Sequence, residues 1–435
     1  MSNQNSISFL SWFMLLTFSL SGCADSPSEE NLSNATGGEV QTVDPSAPKV
    51  PIDANTVSKI QQTATSKTVN AFATSLYAQL KTQEGNLFLS PYSLSSALTM
   101  TYAGARGKTK EEMAKVLHLG TNETAIHNGF GELERSLSAN TATYQFSVAN
   151  AIWVQKRKVF LAAEFAELLQ DAYQAGVKTA DFEKSAEAER QRINRWVAKQ
   201  TAQKIQELLT PGLLTPQTPL VLTNAIYFKG QWQWPFNPED TRELPFIKLD
   251  GSQIKVPTMY QKEKLAYLED DQVQLIELPY QSSASSLGLS MVILLPTQTD
   301  GVGLSKVEEK LADYLRASSD LKSQEVSVYL PKFKVATTFQ LKEILQQLGI
   351  KEAFDPGTAD FSGMTEKKEL AISAVVHQAL VEVNEEGTEA AAATAVVGSR
   401  GRSLVFRADH PFVFWIKDNA SGTLLFLGRV MTPQN

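Results

Sequence analysis

Apolar residues recur along this chain at two spacings, and the places where one spacing gives way to the other mark out a series of helices and strands. Between residues 60 and 80, Val69, Phe72, Ala73, Leu76, Tyr77 and Leu80 fall at helical intervals, which predicts a helix packed on a core and closed by polar residues and Gly85. Leu87, Phe88 and Leu89 predict a short buried strand, and Pro91 then stands near the start of a helix rich in small residues. Thr109 is placed as the N-cap of the next helix, with Glu111 and Glu112 in its first turn, where negative charge suits the helix dipole. Residues 146–154 alternate as a buried strand. Asn194 and Trp196 head a helix, and residues 204–208 lead into a turn at Pro211 and Gly212.

The second half is richer in strands. Residues 221–236, VLTNAIYFKGQWQWPF, read as a strand, then Lys229 and Gly230 as punctuation, then two tryptophans. Residues 275–280 and 287–296 predict strands on either side of a serine-rich turn, and residues 326–333 predict another. A short amphipathic helix over residues 341–348 is stopped by Gly349. Residues 372–380 place His377 in an apolar strand, where a histidine is ordinarily a core residue satisfied by hydrogen bonds. Two late strands are expected within residues 409–414 and 424–430.

The stretch from 381 to 403, VEVNEEGTEAAAATAVVGSRGRS, stands apart. Val381, Glu382 and Val383 alternate as a half-buried strand, and Asn384, Glu385, Glu386 and Gly387 break the pattern as a turn or hinge would. The alanine run is compatible with a short helix, alanine being the best helix former, although so few residues are not stable as a helix alone. Read as a strand, Thr388, Ala390, Ala392 and Thr394 share one uncharged face, while Glu389, Ala391 and Ala393 share the other. No proline interrupts it, so each residue could donate to a ladder. Such a segment suits a loop that later becomes a buried central strand.

Several blocks carry a family resemblance. EEGTEAAAATA, residues 385–395, is similar to the reactive-loop hinge of inhibitory serpins. Ser90-Pro91, the serine-rich helix after it and the Gly-Ala-x-Gly-x-Thr of residues 104–109 resemble the serpin signature, and residues 221–236 resemble the family's breach and shutter segment. The resemblance runs in order from about residue 60 to 433.

It implies an α+β serpin fold with three β-sheets, about nine helices and an exposed reactive-centre loop. Ser90 and Ser93 match the shutter serines, Asn224 and Trp232 take shutter and breach positions, and His377 matches a shutter histidine that contacts Asn224 and Ser93. The hinge would run from Glu386 to Thr394. The implied activity is not catalysis but inhibition of a serine protease as a single-use suicide substrate, the cleaved arm of residues 388–397 inserting into the main sheet. Fourteen residues past Gly387 falls on Gly401; Arg400 requires a loop one residue shorter, and Arg402 followed by Ser403 one longer. Arg400 is favoured because its distance to Pro411 suits the family. Either arginine implies a trypsin-like target, because a long cationic side chain needs an acidic pocket. The alternative is a non-inhibitory serpin-like binding or chaperone protein, in which the small-residue hinge would have no purpose.

Composition adds limits. The chain has 435 residues, 43% of them hydrophobic, enough for a large core, and its net charge of −7 with no basic run argues against a nucleic-acid partner. Residues 9–21 are apolar but too short to span a membrane, and they end in Leu20, Ser21, Gly22 and Cys23. This resembles a bacterial lipobox, implying a signal peptide over residues 1–22, lipidation at Cys23, export, and a lipid anchor on a bacterial membrane. Residues 23–57 read as a disordered tether with a reach on the order of 30 Å, and residues 58–435 as the folded domain, a monomer.

The four histidines have no metal-ligand spacing, and neither a GxSxG elbow nor an HExxH pair occurs, so neither metal nor cofactor is expected. Gly301, Val302, Gly303 and Lys306 lack phosphate-loop spacing and read as a surface turn. Residues 120–135 hold one Lys or Arg, too few for a heparin-type site.

Overall fold

A computed structural model describes residues 54–434 apart from 138–143, 157–161, 174–175, 283–287, 319, 366–369 and 388–403. Its α-helices are α1 (Ala54–Leu80), α2 (Pro91–Ala103), α3 (Gly107–Val116), α4 (Glu123–Leu137), α5 (Ala163–Tyr173), α6 (Phe182–Gln200), α7 (Gly301–Glu309), α8 (Leu311–Ala317) and α9 (Lys342–Leu348). The strands of the first half are β1 (Leu87–Leu89), β2 (Tyr144–Gln155), β3 (Val177–Ala180), β4 (Leu220–Gly230), β5 (Arg242–Ile247), β6 (Gln253–Glu269) and β7 (Val273–Pro279). Those of the second half are β8 (Leu289–Pro296), β9 (Lys322–Pro331), β10 (Phe333–Gln340), β11 (Ile372–Val383), β12 (Leu404–Arg407), β13 (Phe412–Asp418) and β14 (Leu424–Val430).

The chain has the expected α+β fold. Among the described residues the strands form a five-stranded sheet, β10-β11-β4-β2-β3, and a larger one, β1-β14-β13-β8-β7-β6-β9-β12, with β5 beside β6. Two of the three expected sheets thus join into one hydrogen-bonded path. The cause is β6, whose 17 residues pair with β5, β7 and β9 in turn.

The central strands β4 and β11 of the five-stranded sheet are covered on both faces, which is why they lack a polar side, whereas edge strand β10 alternates buried and exposed residues. Along β4, Leu220, Leu222, Ile226 and Phe228 face the main core, which α2 also enters, while Val221, Ala225 and Tyr227 face a second core. That second core contains Phe182, Ile193 and Val197 of α6. The small residues of α2 serve the packing predicted for them: twelve of its thirteen residues are buried, so the helix lies directly under the sheet. Its start is capped as the sequence suggested, with Ser90 accepting from the Ser93 amide at 3.1 Å and Pro91 in the first turn.

Four local expectations are corrected. Thr109 is not an N-cap: α3 begins at Gly107 after Arg106, and the Thr109 hydroxyl lies buried inside the helix, accepting from the Asp360 amide at 3.0 Å. Asn194 and Trp196 do not head a helix but lie in the last two turns of α6, whose cap is Asp181. There Asn194 accepts from the Leu208 and Leu209 amides, tying down the segment that follows. Residues 326–333 belong to two strands, because the chain leaves β9 at Pro331 and starts β10 at Phe333. Gly301 to Lys306 form helix rather than turn, since the Asp300 carboxylate caps the Gly303 amide at 2.9 Å. By contrast Gly349 ends α9 as expected, with φ of 124° that a side chain would strain.

A buried ion pair locks the first and last elements together. Arg429 of β14 is 3% exposed and reaches Glu308 at 3.0 Å, while also donating to the carbonyls of Lys81, Gln83 and Gly85 just past α1. These carbonyls have no helical partner, so the guanidinium satisfies them and Glu308 balances its charge.

Candidate functional site

Strand register assembles the candidate shutter. The antiparallel β2–β4 pair sets Asn150 opposite Asn224, and the parallel β4–β11 pair sets Asn224 opposite His377. Three polar residues therefore form one row across three strands. Residues in one row share a face, and this row faces the start of α2. Asn224 Nδ2 donates to the Ser93 carbonyl at 2.9 Å and to Ser93 Oγ at 2.6 Å, and also meets Asn150 Oδ1. Ser93 Oγ donates to Asn150 Oδ1 at 3.1 Å.

His377 closes the network. Its Nδ1 faces Asn224 Oδ1, an acceptor, so Nδ1 carries the proton. Its Nε2 is then the acceptor for the Ser90 amide at 3.0 Å. The histidine thus reaches Asn224 and Ser90 directly and Ser93 only through Asn224, a different contact set from the one the resemblance implied. The ring is fully buried, and that burial lowers its pKa to about 3, with the Asn224 bond opposing. A neutral ring suits the geometry, because a protonated Nε2 would point its hydrogen at the Ser90 N–H.

Above this row the two central strands part. β11 pairs with β4 over eight positions, from Ile372 opposite Leu220 to Leu380 opposite Tyr227. Beyond them Val381–Val383 pair with β10, and Phe228–Gly230 pair with β2. A clasp closes the top of this gap. The Trp232 amide donates to the Glu386 carbonyl at 3.0 Å, the Phe236 amide to the Glu385 carbonyl at 2.7 Å, and Trp232 Nε1 to the Asn384 carbonyl at 3.0 Å. Trp232 is itself buried and stacked on Tyr280, ring centroids 4.6 Å apart.

Two residues make the clasp possible. Gly387 has φ of 136° and bridges Gln231; a Cβ there would lie 2.2 Å from the Gly230 carbonyl oxygen, so only glycine fits. Glu385, 8% exposed, accepts from Thr241 Oγ1 at 2.9 Å and pairs with Lys332 Nζ at 2.9 Å. Burial pushes its carboxyl up, but Lys332, the turn's own backbone and Thr241 together hold it below the ordinary value.

The structure therefore brings Ser90, Ser93, Asn224 and His377 into one cluster, and Trp232, Glu386 and Gly387 into a second. Thr388, Glu389, Ala390, Ala391, Ala392, Ala393 and Thr394 lie outside the described residues, as do Arg400, Gly401, Arg402, Ser403 and Cys23. Sequence reasoning missed Asn150, Glu385, Thr241 and Lys332. Asn150 had a usable signal, a polar residue on the inward parity of a buried strand; the other three meet only through tertiary contact. Among the described residues no cluster of metal-binding side chains occurs, and no helix is long and apolar enough to cross a membrane.

Comparison with known proteins agrees with this geometry. The family model described as "Serpin (serine protease inhibitor)" matches residues 67–433. The leukocyte elastase inhibitor of Bos taurus is 43% identical over 377 residues, covering 83% of this chain and 97% of that protein. Among solved structures, Serpin48 of the insect Tenebrio molitor, described as a highly specific serpin, is 35% identical with a TM-score of 0.76, covering 85% of this chain and 98% of its own. Human thyroxine-binding globulin complexed with thyroxine is 29% identical with a TM-score of 0.76, covering 87% of this chain and all of that one.

Two outcomes are expected. Because the folded pKa of His377 lies below that of a free histidine, the unfolded chain binds more protons between about pH 6.5 and 3. Stability is then full above about pH 6.5 and lost as pH falls toward 3, at about 1.4 kcal/mol per pH unit. His127, held near 4 by burial, adds a second loss of the same sign. Urea titrations at stepped pH should show the His377→Gln slope smaller by one proton; an unchanged slope would remove His377 from the account. Second, Glu385→Lys sets two ammonium groups against each other at the clasp. A loss of about 1–3 kcal/mol is expected by urea denaturation, with Lys332→Glu in the same chain restoring part of it.

Proposed function

The chain belongs to the serpin family, and on that premise we propose that it inhibits a serine protease as a single-use suicide substrate, trapping the enzyme after loop cleavage. The observation that carries this reading is the parallel β4–β11 pair together with the clasp above it. The chain leaves β11 at Val383 and turns back at Gly387 against the end of β4. An arm folding back from that turn would run antiparallel to both strands and lie between them. Residues 388–397 have the composition for it, with no proline and Glu389 as the single charge.

The energetics favour that exchange. Insertion replaces one β4–β11 ladder with two, a net gain of about ten hydrogen bonds at about 1 kcal/mol each, or on the order of 10 kcal/mol. The His377–Asn224 bond spans the same interface, so it must open for the arm to pass. Cleavage frees the arm to move, and a protease held on it as an acyl-enzyme is carried along before water completes hydrolysis.

For the target, Arg400 or Arg402 as the residue before the scissile bond supports a trypsin-like protease. The leukocyte elastase inhibitors among the relatives make elastase the second enzyme to test. The thyroxine-binding relative keeps a binding-protein reading in view. For location, the Leu-Ser-Gly-Cys at residues 20–23 supports export and lipidation at Cys23; the tether ends before residue 54 rather than at 57, because α1 already begins at Ala54.

Mixing the protein with trypsin or with elastase is expected to yield a detergent-resistant adduct with trypsin and a released peptide beginning at Gly401 or Ser403, read by denaturing gel and mass spectrometry. Clean cleavage without adduct from both enzymes would favour the binding-protein reading. Thr388→Arg puts a charge where the arm must be buried, so it should convert the inhibitor into a substrate; stoichiometric trapping by that variant would sink the insertion mechanism. Separately, Cys23→Ser is expected to move the protein from the membrane fraction to the soluble one, and an unlipidated Cys23 in the wild type would end the anchoring proposal.

A further inference from the structure

At the Asn150 end of the shutter row, α2, α4, α5, β2, β3 and α6 surround a cleft of about 290 Å³, room for on the order of ten waters. Its wall holds polar groups whose bonding is incomplete. Ser96 of α2 is 2% exposed and lines the cleft, yet among the described residues its hydroxyl has no hydrogen-bond partner. Burying a hydroxyl in that state is costly unless something in the cleft satisfies it. Asn150 lines the same wall, and of its two amide protons one is used, on the Ser93 carbonyl at 3.4 Å.

Two opposite charges line this cleft without neutralising each other. Lys178 of β3 lies 5.1 Å from the centre of the Trp196 ring and 6.0 Å from that of Trp153, and the two rings meet edge to face at 5.4 Å. The indoles hold the ammonium in place, but among the described residues it has no carboxylate partner. Glu134 of α4 is also fixed, because it accepts from the Tyr92 hydroxyl, and it makes no ion pair with Lys178. Charges set in place and left apart are prepared for a third group between them.

That pairing selects the ligand. A simple anion drawn to Lys178 also meets the Glu134 carboxylate, and a simple cation meets the reverse. A small zwitterion satisfies both, its carboxylate accepting from Lys178 and the Ser96 hydroxyl while its ammonium donates to Glu134. Met100 and the Trp196 ring supply an apolar wall, which suits an uncharged side chain. The volume excludes anything much larger, since it falls at the lower end of the range for small-molecule sites, about 300–1,000 Å³.

We propose that this cleft is a binding site for a free α-amino acid with a small apolar side chain. The bound molecule bridges α2, α4 and β3. It also touches Asn150, whose Oδ1 accepts from Ser93 Oγ at 3.1 Å, so occupancy holds β2 against α2 and stabilises the chain by mass action. The site stands whether or not the chain traps a protease.

The test is isothermal titration calorimetry on the full chain with L-valine as the probe, beside isovalerate, which lacks the ammonium, and isobutylamine, which lacks the carboxylate. L-valine is expected to bind at one site with a Kd below about 1 mM, and each analogue at least tenfold more weakly. Lys178→Met keeps an unbranched chain over the two rings without the charge, and Ser96→Ala deletes only the unpartnered hydroxyl. Both variants should unfold within a small margin of the wild-type urea midpoint and bind L-valine at least tenfold more weakly. L-valine at about 10 mM should raise the urea midpoint of the wild type and leave that of Lys178→Met where it was. Glu134→Gln should abolish the preference for L-valine over isovalerate. No heat of binding up to about 10 mM L-valine would overturn the site. Wild-type affinity in both the Lys178 and Ser96 variants would put any binding elsewhere and overturn it equally. Isovalerate bound by the wild type as tightly as L-valine would remove Glu134 from the site and overturn the amino-acid assignment.

Discussion

The hydrogen bond between His377 and Asn224 is the constraint on which the proposed mechanism depends. It spans the parallel interface at the centre of the five-stranded sheet, between β4 and β11, and it is sealed below by the first turn of α2. Because the ring is buried and neutral, its two nitrogens have fixed and opposite roles, one donating to Asn224 and one accepting from Ser90. The helix is thereby tied to the sheet at the row that would have to part for another strand to enter. A bond in a dry core is strong while intact. It is also a single row, so separating it does not dismantle the rest of the core.

The clasp above it works by a different principle. Asn384–Gly387 is held to Trp232 and Phe236 mainly by backbone hydrogen bonds, with Gly387 in a conformation that leaves room for nothing larger, and the Glu385–Lys332 pair pins the turn from the side. Between the end of their ladder, at Leu380 and Tyr227, and the clasp, the two central strands run unpaired with each other. The sheet is thus closed at two places of different chemistry, a buried neutral network and a partly exposed ionic turn, and an arm entering from the top meets the ionic one first. In the proposed mechanism, a further strand's worth of hydrogen bonds is gained when the arm enters between the two central strands.

Much of the fold was legible in the sequence because periodicity is a local property. The stripe of α1, the small-residue helix α2 with its Ser90 cap, the glycine that stops α9 and the strands β2, β4 and β8 were visible in runs of a dozen residues or fewer. Errors came where one residue type serves two purposes. Thr109 suits an N-cap by type, yet its hydroxyl is used by the Asp360 amide, 251 positions away. Asn194 suits a helix start, yet it caps the chain that follows α6 from within the helix. Gly301 and Gly303 suggested a turn until Asp300 was seen to cap a helix.

What the sequence determined by itself was the alternation of elements, the parity of each strand, the resemblance to the serpin family and the proline-free arm after Gly387 with one uncharged face. These follow from side-chain spacing and backbone chemistry along the chain. Only the tertiary structure decided which polar residues share a row, since that depends on register between strands more than 70 residues apart: Asn150 against Asn224, and Asn224 against His377. The same holds for Glu385 against Lys332 and Thr241. A local pattern can say that a polar residue is turned inward. Which partner satisfies it is set by how the sheets and helices pack, because the cost of burying it unpaired is removed only by a group that the fold brings from elsewhere in the chain.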